Sequence, residues 1–216
     1  MAELTRQGIQ IFFHIDTALS SVIQSLGAWT YVLLFGIIFC ETGFVVTPFL
    51  PGDSLLFAAG AFAAVGDLHL TGLLVTFMAA AILGDGVNYA IGKKCGDALF
   101  QNRGSRFVKK EYLDRTQTFY EKYGGKTIVL ARFIPIVRTF APFVAGIGHM
   151  RYLRFFVFNV MGAFLWVMIF VVGGFFFGNM PVVKENFSMV ILGIVVVSVL
   201  PAFVEAWKHH LQKVRR

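Results

Sequence analysis

Charged side chains are scarce in this sequence of 216 residues. Asp, Glu, Lys and Arg make up 14% of it, hydrophobic residues make up 57%, and the mean hydropathy is +0.72. A soluble globular domain has about 25% charged and 45–50% apolar residues. Because so few charges cannot cover a surface that faces water, the composition excludes an ordinary soluble domain and predicts an all-α integral membrane protein.

Lys and Arg are absent between Arg6 and Lys93, although the formal net charge is +7. Nine Lys and Arg residues then lie within residues 92–126, and others cluster at 151–154 and in the tail 208–216. This clustering is typical of the cytoplasmic side of a membrane protein, where it also attracts anionic lipid headgroups. It argues against a nucleic-acid partner and predicts cytoplasmic N- and C-termini.

The sequence also lacks motifs of catalysis, metal binding and secretion. Cys40 and Cys95 are its only cysteines, and their different settings make a disulfide unexpected. There is no His-Glu-x-x-His, Gly-x-Ser-x-Gly or Walker sequence. The letters GDSL at 52–55 spell an esterase string, but no Asp-x-x-His accompanies them. We therefore expect no enzyme activity, no metal and no cofactor, and the first residues show no signal-peptide pattern.

Long apolar runs predict four spanning helices, since a span needs about 20 apolar residues. They cover residues 26–43, 68–91, 155–180 and 187–207. Residues 1–25 are amphipathic and predict a helix on the cytoplasmic surface of the membrane, with an ordinary packed helix as the alternative.

These runs define the predicted domain boundaries. The transmembrane domain covers residues 26–207, between the N-terminal helix 1–25 and a basic cytoplasmic tail 208–216. It is divided into a first half 26–91, a cytoplasmic loop 92–126 and a second half 127–207. The loop is predicted to carry a second amphipathic surface helix.

Two further apolar segments, 44–65 and 127–150, are interrupted by residues that break helices. These are Pro48, Pro51 and Gly52 in the first segment and Pro135 and Pro142 in the second. The charge clusters place both ends of the first segment outside and both ends of the second inside. We therefore predict two re-entrant hairpins of opposite orientation, with 26–43 running outward and 68–91 running inward. Paired broken segments predict an inverted repeat with a transport site near the centre of the bilayer.

Four charged residues lie at the entries and near the tips of the two predicted hairpins: Glu41, Asp53, Arg132 and Arg138. A charge in the bilayer costs about 2.5–3.5 kcal/mol on insertion scales, so these acids and arginines are expected to pair. Arg132 and Arg138 are predicted to bind a phosphate headgroup, because a guanidinium is planar and permanently charged. Desolvation favours the neutral form of a carboxylate, so Glu41 and Asp53 are predicted to gate transport by exchanging protons. A purely architectural charge network is the alternative.

Other polar residues receive a supporting role. Asp85 and Asn88 share one face of the helix predicted over 68–91 and either extend the polar cavity or join helices by hydrogen bonds. Asn159, Gly162 and Trp166 are interpreted as packing residues. The four prolines of the broken segments and Gly52 are assigned to the support of the hairpins and the cavity.

Several short sequences together resemble the DedA family, also described as SNARE-associated or VTT-domain membrane proteins. They are ETG at 41–43, PFLPGD at 48–53, GD at 84–85, NYAIG at 88–92 and RFIPIVRT at 132–139. The resemblance covers nearly the whole chain. It implies a multi-pass protein of the bacterial inner membrane, and it implies that Glu41, Asp53, Arg132 and Arg138 are essential.

The same resemblance implies a function in lipid movement. We expect a translocase for an anionic lipid headgroup, with undecaprenyl phosphate favoured over a phospholipid and with protons as the coupled ion. A proton-dependent antiporter that supports the membrane potential is one alternative, and a scaffold that transports nothing is another. The sequence leaves the oligomeric state open and is compatible with a homo-oligomer.

Overall fold

The computed structural model describes residues 15–44, 52–101, 124–187, 189–190 and 193. Every regular element among these residues is helical, which confirms the predicted all-α class. The helices are α1 (Ile15–Leu26), α2 (Trp29–Gly43), α3 (Gly52–Val65), α4 (Leu70–Gln101), α5 (Lys126–Ala131), α6 (Pro135–Ile147), α7 (Tyr152–Val167), α8 (Gly173–Gly178) and α9 (Pro181–Glu185).

Two stretches of helix are long and apolar enough to cross a membrane: Leu70–Gly96 and Tyr152–Gly178, with 27 residues each. At 1.5 Å per residue each is about 40 Å long, which exceeds the hydrocarbon thickness of about 30 Å. The second stretch joins α7 to α8 through a π-helical turn, Met168–Val172. Large apolar side chains such as Leu153 (74% exposed) remain on its surface, as expected of a helix in contact with lipid. These two stretches confirm the spans predicted over 68–91 and 155–180.

The segment predicted as the first span is bent. α1 and α2 meet at 103°, next to Gly27, which has a left-handed φ of 51°. With 15 residues, α2 is about 22 Å long and is too short to cross the hydrocarbon core by itself. The fourth predicted span, 187–207, lies almost entirely outside the described residues, as does the tail.

The helices α2 and α4 begin side by side. The hydroxyl of Tyr31 accepts a hydrogen bond of 2.8 Å from the backbone N–H of His69. A Cβ added to Gly72 would lie 2.9 Å from the ring of Tyr31. The sequence-based arrangement placed the start of 26–43 inside and the start of 68–91 outside, and this part of it is wrong. The error has a physical origin: no Lys or Arg lies between positions 7 and 92, so no basic residue orients the first helices.

The two broken segments form helices shorter than a membrane span. α3 has 14 residues and α6 has 13, so each is about 20 Å long. In the second segment, α5 and α6 are separated at Ile134, whose extended backbone (φ −113°, ψ 109°) is the conformation that a following proline, Pro135, favours. In the first segment Gly52 begins α3, whereas Pro48 and Pro51 lie outside the described residues. That both segments are re-entrant hairpins stays a prediction.

The chain divides into two compact units. The first unit comprises residues 1–31, 51–73 and 170–216. Within its described part, α3 packs closely against α8 because both helices present glycine. A Cβ on Gly60 would overlap the carbonyl oxygen of Val171, and a Cβ on Gly174 would overlap that of Phe57. Such small-residue contacts are typical of helix packing in membranes.

The second unit comprises residues 32–50 and 74–169. Its helices α4, α6 and α7 meet around Tyr89, whose ring stacks on Phe155 with centroids 4.5 Å apart. The Tyr89 hydroxyl donates a hydrogen bond to the carbonyl of Met150. Gly92 and Gly146 allow α4 and α6 to touch, because a Cβ on either would overlap the backbone of the other helix. This close crossing holds the polar residues of α4 next to those of α6.

Gly60→Ala is expected to lower the melting temperature of the detergent-solubilised protein. The added methyl group cannot fit against Val171 without a shift of the helices, and overpacking costs about 1–3 kcal/mol. Gly36→Ala is the matched control, since a Cβ at this position would meet no atom within 4 Å among the described residues apart from the adjoining backbone of its own helix. That change should leave the protein as stable or up to about 1 kcal/mol more stable. Equal melting temperatures for the two variants would contradict the packing.

Candidate functional site

A buried ion pair joins α2 to α6 in the second unit. The guanidinium of Arg138 donates from Nη2 to Oε1 of Glu41. Glu41 is completely buried, and Arg138 is 7% exposed. The pair agrees with the sequence-based expectation that the acids and arginines neutralise each other.

A second buried ion pair joins α4 to the break between α5 and α6. Nη2 of Arg132 donates to Oδ2 of Asp85 and also to Oδ1 of Asn159 on α7, at 2.6 Å in the latter case. Asn159 is oriented by its own hydrogen bond of 3.1 Å to the carbonyl of Ile82. Arg132 is 4% exposed, and its Nη1 has no hydrogen-bond partner among the described residues.

Both arginines lie beside the ring of Trp166. The guanidinium carbon of Arg138 lies 5.4 Å from the centre of its ring, and that of Arg132 lies 5.8 Å away. Both distances are within the range of a cation–π interaction, which contributes up to about 2 kcal/mol when the cation is desolvated. Trp166 is buried, so the ring gives the two cations an electron-rich apolar wall.

Asn88 forms hydrogen bonds to the backbones of two helices. Its amide donates to the carbonyl of Thr42 at 3.1 Å and to the carbonyl of Thr139 at 2.7 Å. Thr42 lies in the last turn of α2, where helix carbonyls lack an internal partner. On α6, Pro142 has no N–H and so donates no backbone hydrogen bond to the carbonyl of Arg138, which lies in the same helical turn as Thr139. Asn88 therefore joins α2 and α6 at the level of the Glu41–Arg138 pair.

Glycine allows the helices that carry these residues to approach. A Cβ on Gly84 would overlap the Thr42 hydroxyl, so α2 and α4 touch where Asp85 begins the polar face. A Cβ on Gly162 would lie 3.4 Å from Nε of Arg132, so this glycine leaves room for the arginine against α7. Both glycines therefore position charged residues as well as helices.

The space between these residues is small. It has a volume of about 10 Å³, which is close to the minimum for one water molecule. A phosphate group does not fit without movement. The space is lined by Thr42, Asp85, Ile128, Arg132, Arg138, Pro142 and Trp166.

Asp53 belongs to the first unit, in the first turn of α3. There it lines a cavity of about 420 Å³ with mainly apolar walls. The other lining residues are Ser54, Phe57, Phe170, Phe177, Val190 and Gly193. The carboxylate that pairs with Arg132 is Asp85, a residue given only a supporting role by the sequence.

Asn159 and Trp166 were interpreted as packing residues, yet both contact the arginines. Their spacing in the sequence could have indicated these contacts. Positions 159, 162 and 166 follow the i, i+3, i+7 pattern, so a buried amide, a glycine and an indole share one helix face. An amide on an otherwise apolar face needs a polar partner, and a buried arginine is a suitable one.

The comparisons with known proteins agree with the resemblance inferred from the motifs. Residues 50–176 match the VTT domain. Over 203 residues the chain is 54% identical to Protein DedA of Escherichia coli (strain K12). This match covers 93% of each of the two sequences. No solved structure matches the chain.

Two other relatives are more distant. An uncharacterized membrane protein of Mycobacterium tuberculosis (strain ATCC 25618 / H37Rv) is 46% identical over 172 residues, 79% of this chain and 75% of its own length. Inner membrane protein YqjA of Escherichia coli (strain K12) is 34% identical over 152 residues, 70% of this chain and 69% of its own length. The chain therefore belongs to the DedA family of VTT-domain membrane proteins.

Proposed function

We propose that this protein translocates an anionic lipid across the bacterial inner membrane, with undecaprenyl phosphate as the favoured substrate. One observation carries the proposal: two buried arginines share Trp166, and Nη1 of Arg132 has no hydrogen-bond partner among the described residues. An unsatisfied buried donor on a cation calls for an explanation, and an incoming phosphate oxygen is the partner that suits it best.

The ion pairs support a mechanism of partner exchange. Glu41 and Asp85 hold the two guanidiniums when no lipid is bound, which lowers the cost of burying the charges. A phosphate group offers several acceptor oxygens and matches the planar fork of each arginine. A polyprenyl phosphate fits this arrangement because its headgroup is one small anion, while its apolar tail can remain in the hydrocarbon.

Loading the site requires a change of conformation, because the space within it holds at most about one water. Two places in the second unit suit such a change. The chain leaves helical geometry between α5 and α6, next to Arg132, and Pro142 interrupts the hydrogen bonds of α6 one turn after Arg138. We propose that movement at these breaks opens the site while α4 and α7 keep Asp85 and Asn159 in place.

Proton coupling is the second part of the proposal. Protonation of Glu41 removes its negative charge and weakens its ion pair with Arg138, which favours an exchange of Glu41 for the headgroup. Asp53 is proposed to gate the process from α3. We expect an imposed pH gradient to accelerate lipid transfer by the native protein and to have no effect on Glu41→Gln or Asp53→Asn. Glu185→Gln, at an exposed position of α9, is the control and should keep the response. A normal response in both test variants would contradict the coupling.

Reconstitution into liposomes with a fluorescent polyprenyl phosphate tests the function as a whole. Faster transfer between leaflets than in protein-free liposomes would support a lipid translocase. Dissipation of a pH gradient without lipid transfer would favour the proton-dependent transporter instead. If neither occurs with folded protein, the scaffold interpretation replaces both.

A further inference from the structure

The helix α1 is attached to the loop between α3 and α4. Oγ of Ser20 and Nε2 of Gln24 both donate to the carboxylate of Asp67, at 3.1 Å for Gln24. Ser20 and Gln24 are one helical turn apart, so they face the same acceptor. α1 and this loop therefore lie at the same side of the membrane.

The helix α2 starts at this same loop. The hydrogen bond between Tyr31 and His69 places the first turn of α2 beside the first turn of α4, and α3 ends at Val65, two residues before Asp67. The start of α2, the end of α3 and the start of α4 therefore lie at the same side of the membrane.

The span Leu70–Gly96 identifies which face this is. It begins next to the loop and ends at Lys93 and Lys94, where the basic segment 92–126 starts. Basic segments of short loops remain on the cytoplasmic side. The other end of the span, with Asp67 and α1, therefore faces outward.

The surface of α1 suits lipid. Val22 and Leu26 are exposed on it, and Trp29 directly after it is 69% exposed. Tryptophan is enriched where membrane meets water, and residues 15–31 contain no Lys or Arg. We propose that α1 lies on the outer leaflet of the membrane, held by its hydrogen bonds to Asp67, with the lipid surface as its partner. The sequence-based prediction placed 1–25 on the opposite, cytoplasmic surface.

Cysteine accessibility tests the sidedness. Cys40→Ser and Cys95→Ser provide a background without cysteine, into which Ser25→Cys, His69→Cys or Lys94→Cys is introduced. All three positions are exposed. A membrane-impermeant maleimide is applied to intact spheroplasts and to permeabilised ones. We expect Ser25→Cys and His69→Cys to react in both, and Lys94→Cys only after permeabilisation. Labelling of Ser25→Cys only after permeabilisation would overturn the proposal, as would opposite sidedness of positions 25 and 69.

A fluorescent probe on Val22→Cys tests the contact with lipid. The probe should emit at shorter wavelength than the same probe on Lys94→Cys and should be quenched by brominated lipids. Emission typical of water, without quenching, would show that this face of α1 does not rest on the bilayer. Both experiments use the full chain and do not depend on lipid transport.

Discussion

Replacing Glu41 alone by Leu is expected to lower the free energy of unfolding by about 3–5 kcal/mol. The change removes a carboxylate that pairs with the buried guanidinium of Arg138 beside Trp166. Replacing Arg138 alone by Met should cost a similar amount, because Glu41 is completely buried. Both losses can be measured as reversible unfolding in detergent, followed by the tryptophan fluorescence.

The double variant Glu41→Leu/Arg138→Met separates architecture from function. It is expected to recover most of the lost stability, since apolar side chains of similar volume often replace a buried ion pair at no cost. Lipid transfer should not recover, because the headgroup has lost one of its two cations. Arg151→Met, at an exposed arginine, is the control and should change stability by less than about 0.5 kcal/mol. A double variant that moves lipid at the native rate would reduce the pair to an architectural role.

Sequence reasoning was sufficient for the features that composition and periodicity determine. The apolar runs predicted the helices Leu70–Gly96 and Tyr152–Gly178, because nothing but a spanning or deeply buried helix accounts for their length. Sequence reasoning also identified Glu41, Arg132 and Arg138 as candidate site residues, because a charge in an apolar segment is costly and is rarely found there without a function. The structure buries all three.

The partners of these charges were harder to predict. Asp85 lies on the same helix as Asn88, and spacing alone could not decide whether the pair serves a cavity or a helix contact. In the structure the two residues differ: Asp85 neutralises Arg132, whereas Asn88 joins two backbones. Choosing between these roles requires knowing which helices touch, and that depends on glycines such as Gly84 and Gly92, whose effect appears only in three dimensions.

The prediction of how the first helices are oriented was wrong for a different reason. The positive-inside rule orients a helix only where Lys or Arg flanks it, and the chain has neither from position 7 to position 92. A hydrogen bond from the backbone of His69 to Tyr31 supplies the information that charge lacks. No periodicity or composition contains such a contact, because it joins residues 38 positions apart.

Arg132→Lys is expected to slow lipid transfer by about 10–150-fold while the protein stays folded. In the native protein Nη2 serves Asp85 and Asn159, which leaves Nη1 for a phosphate oxygen. Lysine has a single ammonium group and cannot present a second, separately directed donor in the same plane. A hydrogen bond to a charged group contributes about 1.5–3 kcal/mol, and each 1.36 kcal/mol corresponds to a factor of ten in rate.

Arg151→Lys is the matched control for Arg132→Lys, because it makes the same replacement at an exposed position of the second unit. It should transfer lipid at the native rate. Binding of a short-chain prenyl phosphate, followed through the tryptophan fluorescence of the protein, provides a second readout that does not require transport. If Arg132→Lys binds and transfers the lipid as the native protein does, charge alone is sufficient at this position. The free donor of Arg132 would then have no part in recognising the headgroup, and the partner-exchange mechanism would lose the observation on which it rests.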